Sequence, residues 1–118
     1  MSQVSIELEK TAYEPGETIS GYVHWNTGGE RYQRVLVSLL WHTEGKGNED
    51  VEVIHQVNIP ASTTQDRRQF SFELPNFPWS FSGRLISLVW NIEASLEPRG
   101  DVHRETLVLA PGGVEVRL

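Results

Sequence analysis

Apolar and polar residues alternate with a period of two along most of this chain, in short segments separated by Gly, Pro, Asn, Asp and Ser. No window keeps the i, i+3, i+4, i+7 spacing of an amphipathic helix. The pattern therefore predicts an all-β chain of about eight strands. The predicted strands are Val4–Glu9, Glu17–Trp25, Gln33–His42, Val51–Ile59, Phe70–Leu74, Arg84–Leu96, Val102–Leu109 and Val114–Leu118.

The phase of the alternation predicts which residues of each strand face the core. In Arg84–Leu96 every second residue from Ile86 onward is apolar, so this face must line a core. In Val51–Ile59 the same phase would turn His55 inward. Because burying an unpaired imidazole is costly, we predict a bulge near Ile54 that moves the histidine toward solvent.

Turn residues predict how the strands connect. Pro fixes φ at the first central position of a turn and Gly accepts positive φ at the second, so Pro15-Gly16 predicts a type II turn. The strands at the two termini, Val4–Leu8 and Val114–Leu118, are the predicted sheet edges. An exposed edge offers backbone groups to a partner, so both are candidate docking strands.

Composition limits the classes of function. The chain has 118 residues, which predicts one domain over residues 1–118, and it has no cysteine, which excludes disulfides and thiol chemistry. A net charge of −6 argues against nucleic-acid binding, which requires clustered Lys and Arg. No apolar stretch approaches the roughly 20 residues of a membrane-spanning helix. No secretory signal is visible at the start of the sequence, so we expect a cytoplasmic protein.

Two local motifs resemble the arrestin-like family of immunoglobulin-like β-sandwich domains. The first is Tyr13–Val23, a Tyr-x-Pro-Gly-Glu turn followed by an Ile-x-Gly-x-Val strand. The second is Leu74–Ala94, a Leu-Pro loop that ends in Ser82-Gly83 and leads into a long apolar-alternating strand. The resemblance implies an antiparallel two-sheet sandwich of about seven to eight strands, used as a protein-binding scaffold as in arrestins and bacterial sporulation-control proteins. Full arrestins pair two such lobes, and this sequence supplies one.

The sequence gives little support for a metal site or a catalytic site. The four histidines, His24, His42, His55 and His103, form no short metal-ligand spacing, and the carboxylates of Glu44–Asp50 do not follow an EF-hand pattern. No nucleophile elbow or phosphate loop is present. We therefore predict no cofactor, no metal and no enzymatic activity.

Aromatic residues give the candidate binding residues. Trp25, Trp41 and Trp90 continue buried strand faces, which leaves Trp79 in the Pro-rich loop as the most exposed tryptophan. We predict that Phe77, Trp79 and Phe81 form a protein-binding contact surface. The leading hypothesis is a non-enzymatic adaptor that binds a partner protein or a second copy of itself through a sheet edge or these end loops. A carbohydrate-binding module using exposed tryptophans, or a structural piece of a larger assembly, is the alternative.

Overall fold

The computed structural model describes residues 1–47 and 49–118, and within these residues it is built from β-strands and one 3₁₀ turn at Pro111–Gly113. Strands β2, β7 and β10 contain two residues each, and the others are longer. The strands are β1 (Gln3–Leu8), β2 (Ala12–Tyr13), β3 (Thr18–Asn26), β4 (Arg34–Gly45), β5 (Val51–Pro60), β6 (Gln65–Glu73), β7 (Phe81–Ser82), β8 (Ile86–Glu97), β9 (Val102–Leu109) and β10 (Val116–Arg117).

The strands form two sheets packed face to face, which confirms the predicted β-sandwich. The first sheet has the order β1-β3-β6 and is antiparallel throughout. In the second sheet β8 pairs with β4, and β4 pairs with β5 at the edge. The other side of β8 is shared by β9 and β7. Two short pairs, β2 with β9 and β7 with β10, are parallel, which the sequence did not predict.

The core lies between the sheets and takes every second side chain from the longer strands, as the alternation predicts. Ile19, Val37, Leu39 and Ile92 are completely buried. The apolar face of β8 is buried from Leu88 to Leu96, but Ile86 at its start is exposed, contrary to the prediction. Ile86 pairs with Gly45 at the far end of β4, where the glycine offers no side chain to cover it.

The Pro15-Gly16 turn has the predicted geometry, and a bulge is present at the predicted position in β5. Gly16 has φ of 80°, and the Glu17 N–H donates to the Glu14 carbonyl at 3.1 Å, as a type II turn requires. The pairing of β4 with β5 shifts by one residue at Ile54, since Leu39 is opposite His55 and Leu40 is opposite Val53. His55 is exposed. The predicted bulge is present, but it does not turn the histidine outward, because His55 lies opposite the buried Leu39 and stacks on Phe72 of the other sheet. The bulge instead moves Val51 and Val53, which the alternation places on the inward phase, to the exposed face.

Candidate functional site

The sandwich has two flanks, and each is formed by one edge of each sheet. On one flank β1 faces β9, and on the other β6 faces β5 across the groove that His55 and Phe72 line. A strand at a sheet edge leaves half of its backbone N–H and C=O groups without a neighbouring strand. What satisfies those groups decides whether a flank can accept another chain. We refer to the β1/β9 side as the closed flank and to the β5/β6 side as the open flank.

On the closed flank, side chains from the start of β9 take the place of a neighbouring strand. The Val4 N–H donates to Oδ2 of Asp101 at 3.0 Å, and the Ile6 N–H donates to Nδ1 of His103 at 2.9 Å. Since Nδ1 accepts this bond, the ring proton belongs on Nε2, which lies 3.1 Å from Oε1 of Glu105. The outward amides of Val4 and Ile6 are therefore already used. The prediction that Val4–Leu8 is an available docking edge is wrong.

The second predicted edge, Val114–Leu118, is also unsuitable for docking a long segment. Only Val116 and Arg117 are in strand conformation. The Val116 N–H donates to the Ser80 carbonyl at 3.1 Å, and the Leu118 N–H donates to the Ser82 carbonyl at 3.0 Å. These bonds hold the segment against β7, and the two-residue strand presents little backbone to a partner.

On the open flank, β5 spans ten residues and among the described residues pairs only with β4. Two backbone hydrogen bonds fix which amides of β5 point toward β4. The Thr43 N–H donates to the Asp50 carbonyl, and the Ala61 N–H donates to the Gln33 carbonyl. Antiparallel geometry then turns alternate amides away from β4. The outward amides are those of Val51, Val53, Gln56 and Asn58.

The edge of β5 combines exposed apolar side chains with two features that limit uncontrolled pairing. Val51 is 64% exposed and Val53 is 47% exposed. The bulge at Ile54 divides the edge, and Pro60, which lacks an N–H, ends it. The edge is thus available in two short segments on either side of the bulge.

A shallow groove runs between β5 and β6. His55 stacks on Phe72 with ring centroids 6.0 Å apart and an interplanar angle of 9°. The groove has a volume of about 360 Å³ beside this ring pair and continues as a second depression of about 200 Å³ toward Asn76. Its walls carry polar and apolar groups: His55, Gln56, Val57, Ser71, Phe72, Glu73, Leu74, Pro75 and Asn76, with Gly16 at the end.

The predicted binding loop adjoins the groove at Asn76. Phe77 is 76% exposed and Trp79 is 43% exposed, whereas Phe81 is partly buried and packs against the core. The Trp79 indole N–H donates to the Asn76 carbonyl at 2.7 Å, and this bond orients the ring. The structure therefore leaves Phe77 and Trp79 accessible and assigns Phe81 to packing.

The other tryptophans have structural roles. Trp25 and Trp90 are buried, and the Trp90 indole N–H donates to the Pro78 carbonyl at 2.9 Å, which fixes the loop to the core. Trp41 is partly buried against the core. Trp79 is thus the exposed tryptophan of the described residues, as predicted.

The described residues contain no group of three or more His, Cys, Asp or Glu side chains placed to hold a metal ion. The Glu44–Asp50 connection considered for calcium includes Asn48, which lies outside the described residues. His24 contacts Glu7 at 3.3 Å on the outer face of the first sheet, and His42 contacts Asn91 at 2.8 Å on the outer face of the second. With His55 and His103 on opposite flanks, the four histidines lie in separate places.

Comparison with solved structures establishes the fold. The sporulation control protein Spo0M from Bacillus subtilis superimposes with a TM-score of 0.61 over 92% of this chain, at 21% sequence identity. This chain therefore has the Spo0M fold. The resemblance predicted from Tyr13–Val23 and Leu74–Ala94 is confirmed at the level of the fold. The chain spans about half of Spo0M, 49% of its length.

A second match is part of a much larger enzyme. A β-glucosidase from Listeria innocua, solved with gluconolactone, has a TM-score of 0.51 over 98% of this chain at 12% identity, and only 16% of the enzyme is covered. This match shows a shared sandwich fold alone. No protein-family model and no curated protein matches the sequence. Within the described residues no helix is long and apolar enough to cross a membrane.

Proposed function

We propose that this chain is a non-enzymatic protein-interaction module that binds an extended segment of a partner protein as an added strand on the outer edge of β5. The observation that carries the proposal is the contrast between the flanks. The outward amides of Val4 and Ile6 on β1 are bonded to Asp101 and His103, while those of β5 have no neighbouring strand among the described residues. Main-chain hydrogen bonds along such an edge supply affinity, and the adjacent groove supplies side-chain selectivity.

The neighbouring surface extends the area that a partner segment could contact. The groove beside the His55–Phe72 ring pair leads to Asn76, and the exposed Phe77 and Trp79 follow immediately in the chain. Aromatic residues are enriched among those that dominate binding energy at protein interfaces. Phe77 and Trp79 are thus proposed as the side-chain contacts of the same interface. Cytoplasmic location remains a prediction from the sequence.

The test uses a proline that removes one outward amide. Val53→Pro deletes the N–H at an edge position where proline does not break a bond to β4, and Val53→Ala is the matched control that keeps the N–H. Ten-residue segments selected for binding from a displayed random library are the probes. We expect binding to the wild type and to V53A with perturbed amide resonances along β5, and a roughly 2- to 13-fold loss with V53P, since one edge hydrogen bond of about 0.5–1.5 kcal/mol would be lost.

Asn58→Pro repeats the test at the other side of the bulge if V53P fails to fold. Selected segments that bind V53P as well as V53A, or that perturb β1 instead of β5, would contradict the proposal. Binding of a second copy through β5 would appear as concentration-dependent broadening of the same resonances without added peptide, and would identify the chain as its own partner.

The carbohydrate alternative has less support, because Trp79 alone among the tryptophans is exposed and its indole N–H is already bonded to Asn76. Saturable quenching of tryptophan fluorescence by a glycan, lost in Trp79→Ala, would favour it.

A further inference from the structure

Carboxylates without a charged partner concentrate on the open flank. Glu49 and Asp50 lead into β5, Glu52 lies within it, and Glu73 lines the groove. All four residues are exposed, and none of their carboxylates forms an ion pair or side-chain hydrogen bond with another described residue. The four lie along one edge of the molecule and leave it with uncompensated negative charge.

The two arginines of β6 each contact a carboxylate or an aromatic ring outside the groove. Arg68 on β6 bonds Asp66 at 2.9 Å, and Arg67 lies 3.7 Å from Glu7 and over the Tyr22 ring. β5 itself contains no Lys or Arg. The charges that a partner segment meets along β5 are therefore acidic.

On this basis, and resting on the proposed strand addition at β5, we infer that the partner segment is an extended strand that carries Lys or Arg on alternate residues and apolar residues between them. The apolar positions would contact Val51 and Val53 on the outer face of the sheet, and the cationic positions, on the opposite face, would approach Glu52 and the groove residue Glu73. Complementary charge raises the rate at which a basic segment associates with this edge and disfavours acidic segments. The net charge of −6 acts in the same direction.

The probes are three synthetic eight-residue peptides that keep Val at alternate positions and carry Lys, Gln or Glu at the others. Affinity for the full chain is measured by fluorescence anisotropy at low and high salt, and the bound site is mapped by amide chemical shifts. We expect the order Lys, then Gln, then Glu, with shifts along β5. Only the Lys peptide should weaken markedly as salt rises.

Matched charge deletions separate a specific contact from general attraction. The double variant E52Q/E73Q should weaken the Lys peptide by roughly 2- to 30-fold, as expected for two exposed ion pairs, and should leave the Gln peptide unchanged. The control E9Q/E115Q removes two carboxylates that also lack a described charged partner but lie after β1 and before β10. It should have less than a twofold effect.

The outcomes distinguish the two proposals. Equal binding of all three peptides at β5 would overturn the charge preference and leave strand addition standing. An equal loss with E9Q/E115Q would reduce the effect to diffuse attraction and also overturn the preference. Failure of every peptide to perturb β5 would contradict strand addition itself, and the charge preference with it.

Discussion

The closed flank and the open flank both end a β-sheet, but they treat the edge backbone differently. On the closed flank the Val4 and Ile6 amides donate to Asp101 and His103, which act in place of a neighbouring strand. On the open flank the β5 amides have no such substitute among the described residues, and Val51 and Val53 are exposed beside them.

This difference shows that the molecule protects one edge with specific side chains and does not extend that protection to the other. Exposed edges promote unwanted association, and proteins commonly block them. An edge that is limited only by a bulge at Ile54 and by Pro60, next to a groove and two exposed aromatic rings, has the properties of a recognition surface.

The largest contrast is expected for packing beneath the two edges. Ile6→Ala removes a buried side chain behind the closed flank and should lower the free energy of unfolding by about 2–5 kcal/mol. Val53→Ala on the open flank should change it by no more than about 0.5 kcal/mol, because Val53 is half exposed. Urea unfolding followed by tryptophan fluorescence measures both. If both variants lose a similar amount of unfolding free energy, the two flanks do not differ in packing.

A smaller contrast is expected for the two flank histidines. His103→Ala leaves the Ile6 N–H without its acceptor and should cost about 1–3 kcal/mol of unfolding free energy. His55→Ala removes only an exposed ring stack on Phe72 and should cost about 0.5 kcal/mol. His103→Asn, whose side-chain oxygen can accept the bond, should recover part of the loss. If H55A is the more damaging variant in the same urea assay, the capping role of His103 is refuted.

The smallest expected effect is on the free energy of unfolding at low pH, through the carboxylate of Asp66 on β6 at the open flank. The Arg68 guanidinium, together with the Arg67 N–H, lowers the pKa of Asp66 below its usual value of 3.8. A lowered pKa means that the carboxylate stabilises the fold above pH 3.8, and that this contribution is lost as the pH falls through the lower folded-state pKa. Asp66→Asn should therefore flatten the decline of stability below pH 3.8, seen by urea unfolding at several pH values. Glu9→Gln is the control, and the same flattening there would exclude a specific role for Asp66.

Local features of this fold were predictable from the sequence. The Pro15-Gly16 turn follows from the φ preferences of two adjacent residues. The position of the bulge was predicted from a conflict between strand phase and the polarity of His55, but the residues that the bulge moves outward are Val51 and Val53. The exposed aromatic residues Phe77 and Trp79 were predicted from their position in a Pro-rich loop. Phe81 was included with them, but it starts a two-residue strand and packs on the core.

The choice of edge was not predictable from the same reasoning. Chain termini suggested β1 as a free edge, but its amides are bonded to side chains 97 residues away in sequence. The available edge, β5, lies in the middle of the chain, and only the sheet order places it at the boundary. Strand alternation identifies which face of a strand is buried, and it carries no information about which strand lies beside it.

Residue-resolved amide hydrogen exchange tests the contrast between the flanks most directly. We expect slow exchange for Val4 and Ile6, whose amides are bonded to Asp101 and His103, and fast exchange for Val53 and Gln56, whose amides face outward from β5. Addition of the Lys-bearing peptide should slow exchange at Val53 and Gln56 and leave Val4 and Ile6 unchanged. Fast exchange at Val4 and Ile6, or equal protection of all four amides in the free protein, would show that the two flanks do not differ in how their edge amides are protected.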